Sequence, residues 1–182
     1  MNQTATFRPE AWLRGPVEGV PDLLQPAAHA LVQVGEEVEA LTATIKPSEL
    51  WLRPGGAASA GFHLQHLAGS LDRLMTYARA EKLNETQRAA LAGEGDAGDP
   101  PVTPQALLDG VHQAIARALE QLRSTSPSTL ADPRTVGRAA LPTTVIGLLF
   151  HAAEHAQRHA GQLTTTLKII RGYGNGGARG AR

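Results

Sequence analysis

The chain has 182 residues, 17 basic and 17 acidic side chains, a formal net charge of +0, seven histidines and no cysteine. That length suits one domain with a sizeable core. The missing cysteine excludes disulfides, thiolate nucleophiles and every Cys-held zinc or iron–sulfur site, and the balanced charge argues against a broad nucleic-acid face or an anionic membrane surface as partner.

Composition favours helices: 30 Ala and 23 Leu stand against 14 Val plus Ile, and the β-branched residues are the strand formers. The start, Met1 to Pro9, carries no charged-then-apolar signal pattern, and the longest aliphatic run, near Val145 to Phe150, is too short to span a bilayer. A soluble, cytoplasmic protein is expected.

Four amphipathic stretches follow in chain order. The first is predicted over Asp22 to Ile45, with Leu24, Ala27, Leu31, Val34, Val38, Leu41 and Ile45 on one seam and Pro47 ending it. A connector runs through Trp51 and Pro54. Ser59 then reads as the N-cap of a second helix, Ala60 to Glu81, with Leu64, Leu67, Leu71 and Leu74 inward and Phe62, His66, Arg73 and Tyr77 on the shoulder. The segment Gly93 to Pro104 is a loop. Thr103 and Pro104 open a third helix to Arg123 as cap and first-turn proline. Ser124 to Pro142 is a long Ser/Thr/Pro-rich connection expected to cross the end of a bundle.

The fourth helix is predicted over Thr143 to Arg171, with a seam of Val145, Leu148, Ala152, His155, His159, Gln162, Thr166 and Ile169. Residues 1–172 are expected to form the single domain and 173–182 a flexible Gly/Arg tail, whose arginines are too few for an RNA-binding segment. The expected fold class is all-α, an antiparallel four-helix bundle.

The fourth helix carries His151, His155 and His159, each four residues from the next. Steps of four drift only about 40° around a helix, so all three share one stripe. His155 and His159 occupy seam positions where the pattern calls for Leu or Ala. An unpartnered buried imidazole costs on the order of 1–3 kcal/mol, and a divalent ion shared between two rings removes that cost. The third ligand is expected from FHLQHL on the second helix. His66, beside the Leu67 seam position, is preferred and His63 is the reserve. The pattern alone leaves ordinary satisfied histidines as the alternative. His29, His63 and His112 have such readings, and His151 and Gln162 are undecided.

Other motifs fail. Glu154 precedes His155, so there is no HExxH base; no Glu-x-x-His pair marks a di-iron site; no Gly-x-Ser-x-Gly elbow, phosphate-binding loop or dinucleotide fingerprint is present.

The segments GFHLQHLAGSLDRL, preceded by the Trp51–Pro54 connector, and HAAEHAQRHAGQL resemble the DinB/YfiT-like superfamily of metalloproteins over most of the chain. The resemblance implies an antiparallel four-helix bundle, often a homodimer, with one divalent metal such as nickel, zinc, iron or manganese. Carried over by position, the ligands are His66, His155 and His159. Relatives include hydrolases and thiol-dependent transferases and isomerases, so the implied substrate is a small molecule and the implied cosubstrate a low-molecular-weight thiol. A non-catalytic metal-binding or stress-response bundle is the alternative. No general acid or base is assigned.

Overall fold

The computed structural model describes residues 8–176. Near the chain start a single 3-10 turn, Ala11–Leu13, is tied down by Ala11 N–H donating to Gln33 Oε1 at 2.9 Å and by Arg14 donating twice to Glu36. A second 3-10 turn, Asp22–Leu24, leads into helix α1, Gln25–Thr42. The helix stops three residues short of the expected Ile45. Ile45 still reaches the core, but the chain leaves the helix after Thr42, and the Thr44 hydroxyl donates back to Leu41 O at 2.7 Å.

Pro47 then opens a single-turn helix, α2, Pro47–Leu50. The Trp51 ring, next in the chain, lies against Gly61, where an added Cβ would come 2.5 Å from its nearest carbon. Only glycine permits this approach, and it sets the start of helix α3, Ala60–Ala78. Ser59 caps it as expected, its hydroxyl accepting from Phe62 N–H at 3.1 Å.

Helix α4, Glu85–Ala92, was not expected. Its start is a reciprocal cap, Asn84 accepting from Gln87 N–H and Gln87 accepting from Asn84 N–H. The signal was Asn-x-x-Gln, masked because no residue of α4 is buried. The loop after it is where the sequence placed it. Helix α5, Pro104–Ser124, begins on the predicted Thr103 cap.

The connection before the last helix is not structureless, and the all-α expectation is corrected there. Strands β1, Pro133–Val136, and β2, Leu141–Thr144, pair antiparallel with Pro133 opposite Thr144 and Val136 opposite Leu141. Gly137 and Ala140 both take positive φ in the turn. The residues of these strands, Pro-Arg-Thr-Val and Leu-Pro-Thr-Thr, do not alternate apolar with polar, and each holds a proline, so neither reads as a strand. Arg134 anchors the hairpin by donating to Ala78 O at the end of α3.

Helix α6, Val145–Gly176, follows directly. Its first free N–H groups are satisfied by Asp132 O, Leu130 O and Thr144 Oγ1. The helix continues through Gly176, past the expected end at Arg171, and residues 177–182 of the expected flexible tail lie outside the described residues.

The chain is mostly helical. Helix α3 packs against α6 and α5, and α1 packs against the same two. One aliphatic core lies between them, from Leu24, Leu31 and Val38 through Leu64, Leu67 and Leu71 to Leu122, Leu149 and Leu163. The α6 seam differs from its predicted line. Gln162 and Ile169 face outward and Leu163 and Leu167 are buried, because α6 touches both α1 and α3 and buries a wide face instead of one stripe. Among the described residues, no helix is long and apolar enough to cross a membrane.

A Gly→Ala change inside a helix ordinarily stabilises it by about 0.5–1 kcal/mol. At Gly61 the new methyl meets the Trp51 ring, and overpacking costs about 1–3 kcal/mol. Gly61→Ala is therefore expected to lower the urea midpoint and to change Trp fluorescence; a raised midpoint would refute the close approach.

Candidate metal centre

Four imidazoles meet where α3 faces α6. On α3, His63 and His66 are three residues apart; on α6, His155 and His159 are four apart. Both spacings put side chains on one helix face. His63 lies opposite His159, with their Nδ1 atoms 3.2 Å apart, and His66 lies opposite His155, with their Nε2 atoms 3.0 Å apart. The ring centroids of His66 and His159 are 4.4 Å apart and those of His155 and His159 are 4.6 Å apart.

His66, His155 and His159 each offer one ring nitrogen such that all three atoms lie within 4.8 Å of one another. These are the three histidines that the sequence singled out. Nitrogens sharing one tetrahedral ion, each at about 2.0–2.1 Å, stand roughly 3.3 Å apart. Small ring rotations cover the difference. His159 is buried, while His66 and His155 are partly exposed, so the cluster is reached from one side.

The electrostatics keep most of these rings neutral. Burial pushes His159 down to about 4, helped by the neighbouring His66, His155 and His63 rings. Burial also lowers His155, with further contributions from His66, His151 and Arg158, and lowers His63, aided by His66. A neutral imidazole has the free lone pair that a metal needs. His155 turns its Nε2 to the cluster, and its Nδ1 is buried without a hydrogen-bond partner. A donor set of converging imidazoles, with burial holding His155 and His159 in the neutral form, fits a divalent ion in this mostly aliphatic seam.

The surroundings brace the cluster. His66 Nδ1 lies 2.6 Å from Glu94 Oε2, and Arg73 Nη1–H donates to Glu94 Oε1 at 2.6 Å. Burial raises the Glu94 pKa, but the hydrogen bonds from His66 and Arg73 and their charges more than reverse this and hold it below the usual carboxylate range. Phe62 stacks on His66 with centroids 5.3 Å apart and planes 12° apart. Gln65 latches the same loop from α3, donating to Asp96 O and accepting from Gly95 N–H.

Glu94 was invisible in the sequence, being one acid in a Gly-rich loop without periodicity. His63, held there as a reserve or ordinary histidine, is buried against His159 outside the group of three. Arg73, placed on the shoulder of the second helix, makes a salt bridge to Glu94. Tyr77 lines a separate cavity of about 820 Å³ beside the hairpin, which none of the clustered histidines lines.

The remaining candidates fall away from the centre. His151 is exposed beside Glu154, and Gln162 is exposed. His29 lies 2.9 Å from Gly15 O, and His112 is half-buried on α5.

A histidine whose folded pKa is depressed leaves the unfolded chain binding more protons below its ordinary value near 6.5, so stability falls with pH there. Chelator-treated protein is expected to keep a constant melting temperature from pH 8 to about 6.5 and to lose stability steadily towards pH 4. His159→Gln should flatten that slope. An unchanged slope in the variant would show that the buried ring does not cause it.

Comparison with known proteins is consistent with this architecture. No curated protein matches the chain. A solved structure described as a conserved protein from Enterococcus faecalis is similar at 21% sequence identity and a TM-score of 0.65, covering 81% of this chain and 96% of that one. At that identity the likeness concerns the fold. The family model for the DinB superfamily matches residues 30–163, a span that includes both histidine pairs, and the chain therefore belongs to the DinB superfamily.

Proposed function

We propose that this chain is a divalent-metal-dependent enzyme whose ion is held by His66, His155 and His159. The observation that carries this reading is the convergence of three imidazole nitrogens, from two helices, within 4.8 Å of one another. The opposed pairs, His63 with His159 and His66 with His155, support a bundle in which α3 and α6 run antiparallel.

Three neutral ligands do not close a tetrahedral site, and open sites are the catalytic kind. When bound, the ion supplies Lewis acidity, which lowers the pKa of a water or thiol that joins it. The chain's own residues do the rest. The histidines fix the ion's position, Phe62 covers one side of His66, and the aliphatic seam beneath excludes water. Glu94 is not a free base, since both of its oxygens are engaged.

Two reactions suit such a site: hydrolysis of a small substrate, and transfer of a low-molecular-weight thiol to an electrophile. With no cysteine in the chain, any thiol comes from the cosubstrate. The metal is nickel, zinc, iron or manganese, and the setting is a cytoplasmic homodimer.

Elemental analysis of untagged protein is expected to find about one divalent ion per chain, with His155→Ala and His159→Ala each losing most of it. Absence of metal after reconstitution with all four ions would end this reading. Thiol–electrophile and ester–amide panels then separate the two reactions. Metal-dependent thermal stabilisation without turnover in either panel would instead identify a non-catalytic metal-binding bundle.

A further inference from the structure

Helix α3 turns His66 towards His155, but a helix position does not decide which ring nitrogen carries the proton. That choice belongs to whatever the other nitrogen meets. Here Nδ1 meets Glu94 at 2.6 Å and Nε2 faces the cluster. The carboxylate is largely buried, with side-chain exposure of 9%, and Arg73, itself 10% exposed, takes its second oxygen. This ion pair passes over Gly69, where an added Cβ would lie 2.7 Å from both Arg73 Nη1 and Glu94 Oε1. The absent side chain at position 69 leaves the room that the pair occupies.

We propose that Glu94 is a positioning residue for the metal centre. It holds His66 in the form with hydrogen on Nδ1 and thereby aims the Nε2 lone pair at the ion, with Arg73 as its anchor and Gly69 as the space for both. The proposal rests on the metal-centre reading and deepens it. A carboxylate behind a metal-binding imidazole fixes the ring's tautomer and orientation and raises its basicity, and removing such a partner typically costs about 10–100-fold in metal affinity. The other two rings lack this support: His159 leans on a neutral imidazole, and His155 Nδ1 has no partner. Among the described residues, Glu94 is the one carboxylate hydrogen-bonded to a candidate ligand.

Two readouts on the full chain test this. In metal-free, ¹⁵N-histidine-labelled protein at pH 8, long-range ¹H–¹⁵N correlations should show His66 with hydrogen on Nδ1; Glu94→Ala should shift it to a mixture or to Nε2. Competition against a chromophoric chelator should show zinc bound about 10–100-fold more weakly by Glu94→Ala. Glu94→Gln, which keeps the shape but cannot satisfy His66 and Arg73 through two oxygens, should fall at the low end of that range. Gly69→Ala should weaken zinc binding in the same direction without touching a ligand. Circular dichroism confirms that each variant is folded. Wild-type affinity reports on the centre itself, while the ratio of variant to wild type and the tautomer report on Glu94. Folded Glu94→Ala and Glu94→Gln proteins with unchanged zinc affinity would overturn the assignment, as would a wild-type His66 protonated at Nε2.

Discussion

A polar ring in an aliphatic core must find a partner, and that requirement organises the contact between α3 and α6. Four imidazoles enter one seam, and most of their ring nitrogens are satisfied by each other or by Glu94. The helices bearing them must therefore come close. The buried residues around the α6 histidines are small: Ala152, Ala153, Ala156 and Ala160. Helix separation follows the side chains at the contact, so alanines here bring the backbones near enough for short imidazole side chains to meet. Larger aliphatic residues return away from the cluster, at Leu149 and Leu163.

Helices alone do not complete the centre. The Gly93–Asp96 segment lies beside α3, held by His66 and Arg73 through Glu94 and by Gln65 through the Gly95 N–H and the Asp96 carbonyl that follow it. Ordering loop backbone costs roughly 1–2 kcal/mol per residue in conformational entropy. Several hydrogen bonds, two of them to a buried carboxylate, offset that cost. Gln65 and His66, adjacent in sequence, have divided tasks: one holds the loop and the other faces the cluster.

Much of this was legible in the sequence because it obeys local rules. Ser59 and Thr103 read as caps from residue type and position. His155 and His159 stood out because a seam that wants Leu or Ala held imidazoles. His66 was preferable to His63 through its place beside Leu67, and it is the one in the group of three. Other features had no local signature. Glu94 acts from a loop 28 residues away from His66. The hairpin's strands each hold a proline and do not alternate apolar with polar residues, and α4 buries nothing that would give it periodicity. The predicted α6 seam followed a strict narrow repeat, whereas a helix with two neighbours buries a broader arc, so Leu163 and Leu167 displaced Gln162 and Ile169.

The hairpin has a mechanical side. Arg134 binds it to the last carbonyl of α3, and its second strand runs without a break into α6. The two helices that carry the imidazoles are thus indexed to each other at a point two turns or more from the nearest clustered histidine. One residue inserted between Thr144 and His155 would turn both α6 histidines by about 100° and advance them by about 1.5 Å, out of phase with α3. The same residue inserted between Gly137 and Ala140 would only lengthen a surface turn. Length variation in this chain should accordingly be absorbed at the hairpin tip, with the stretch from Thr144 onward kept at a fixed count.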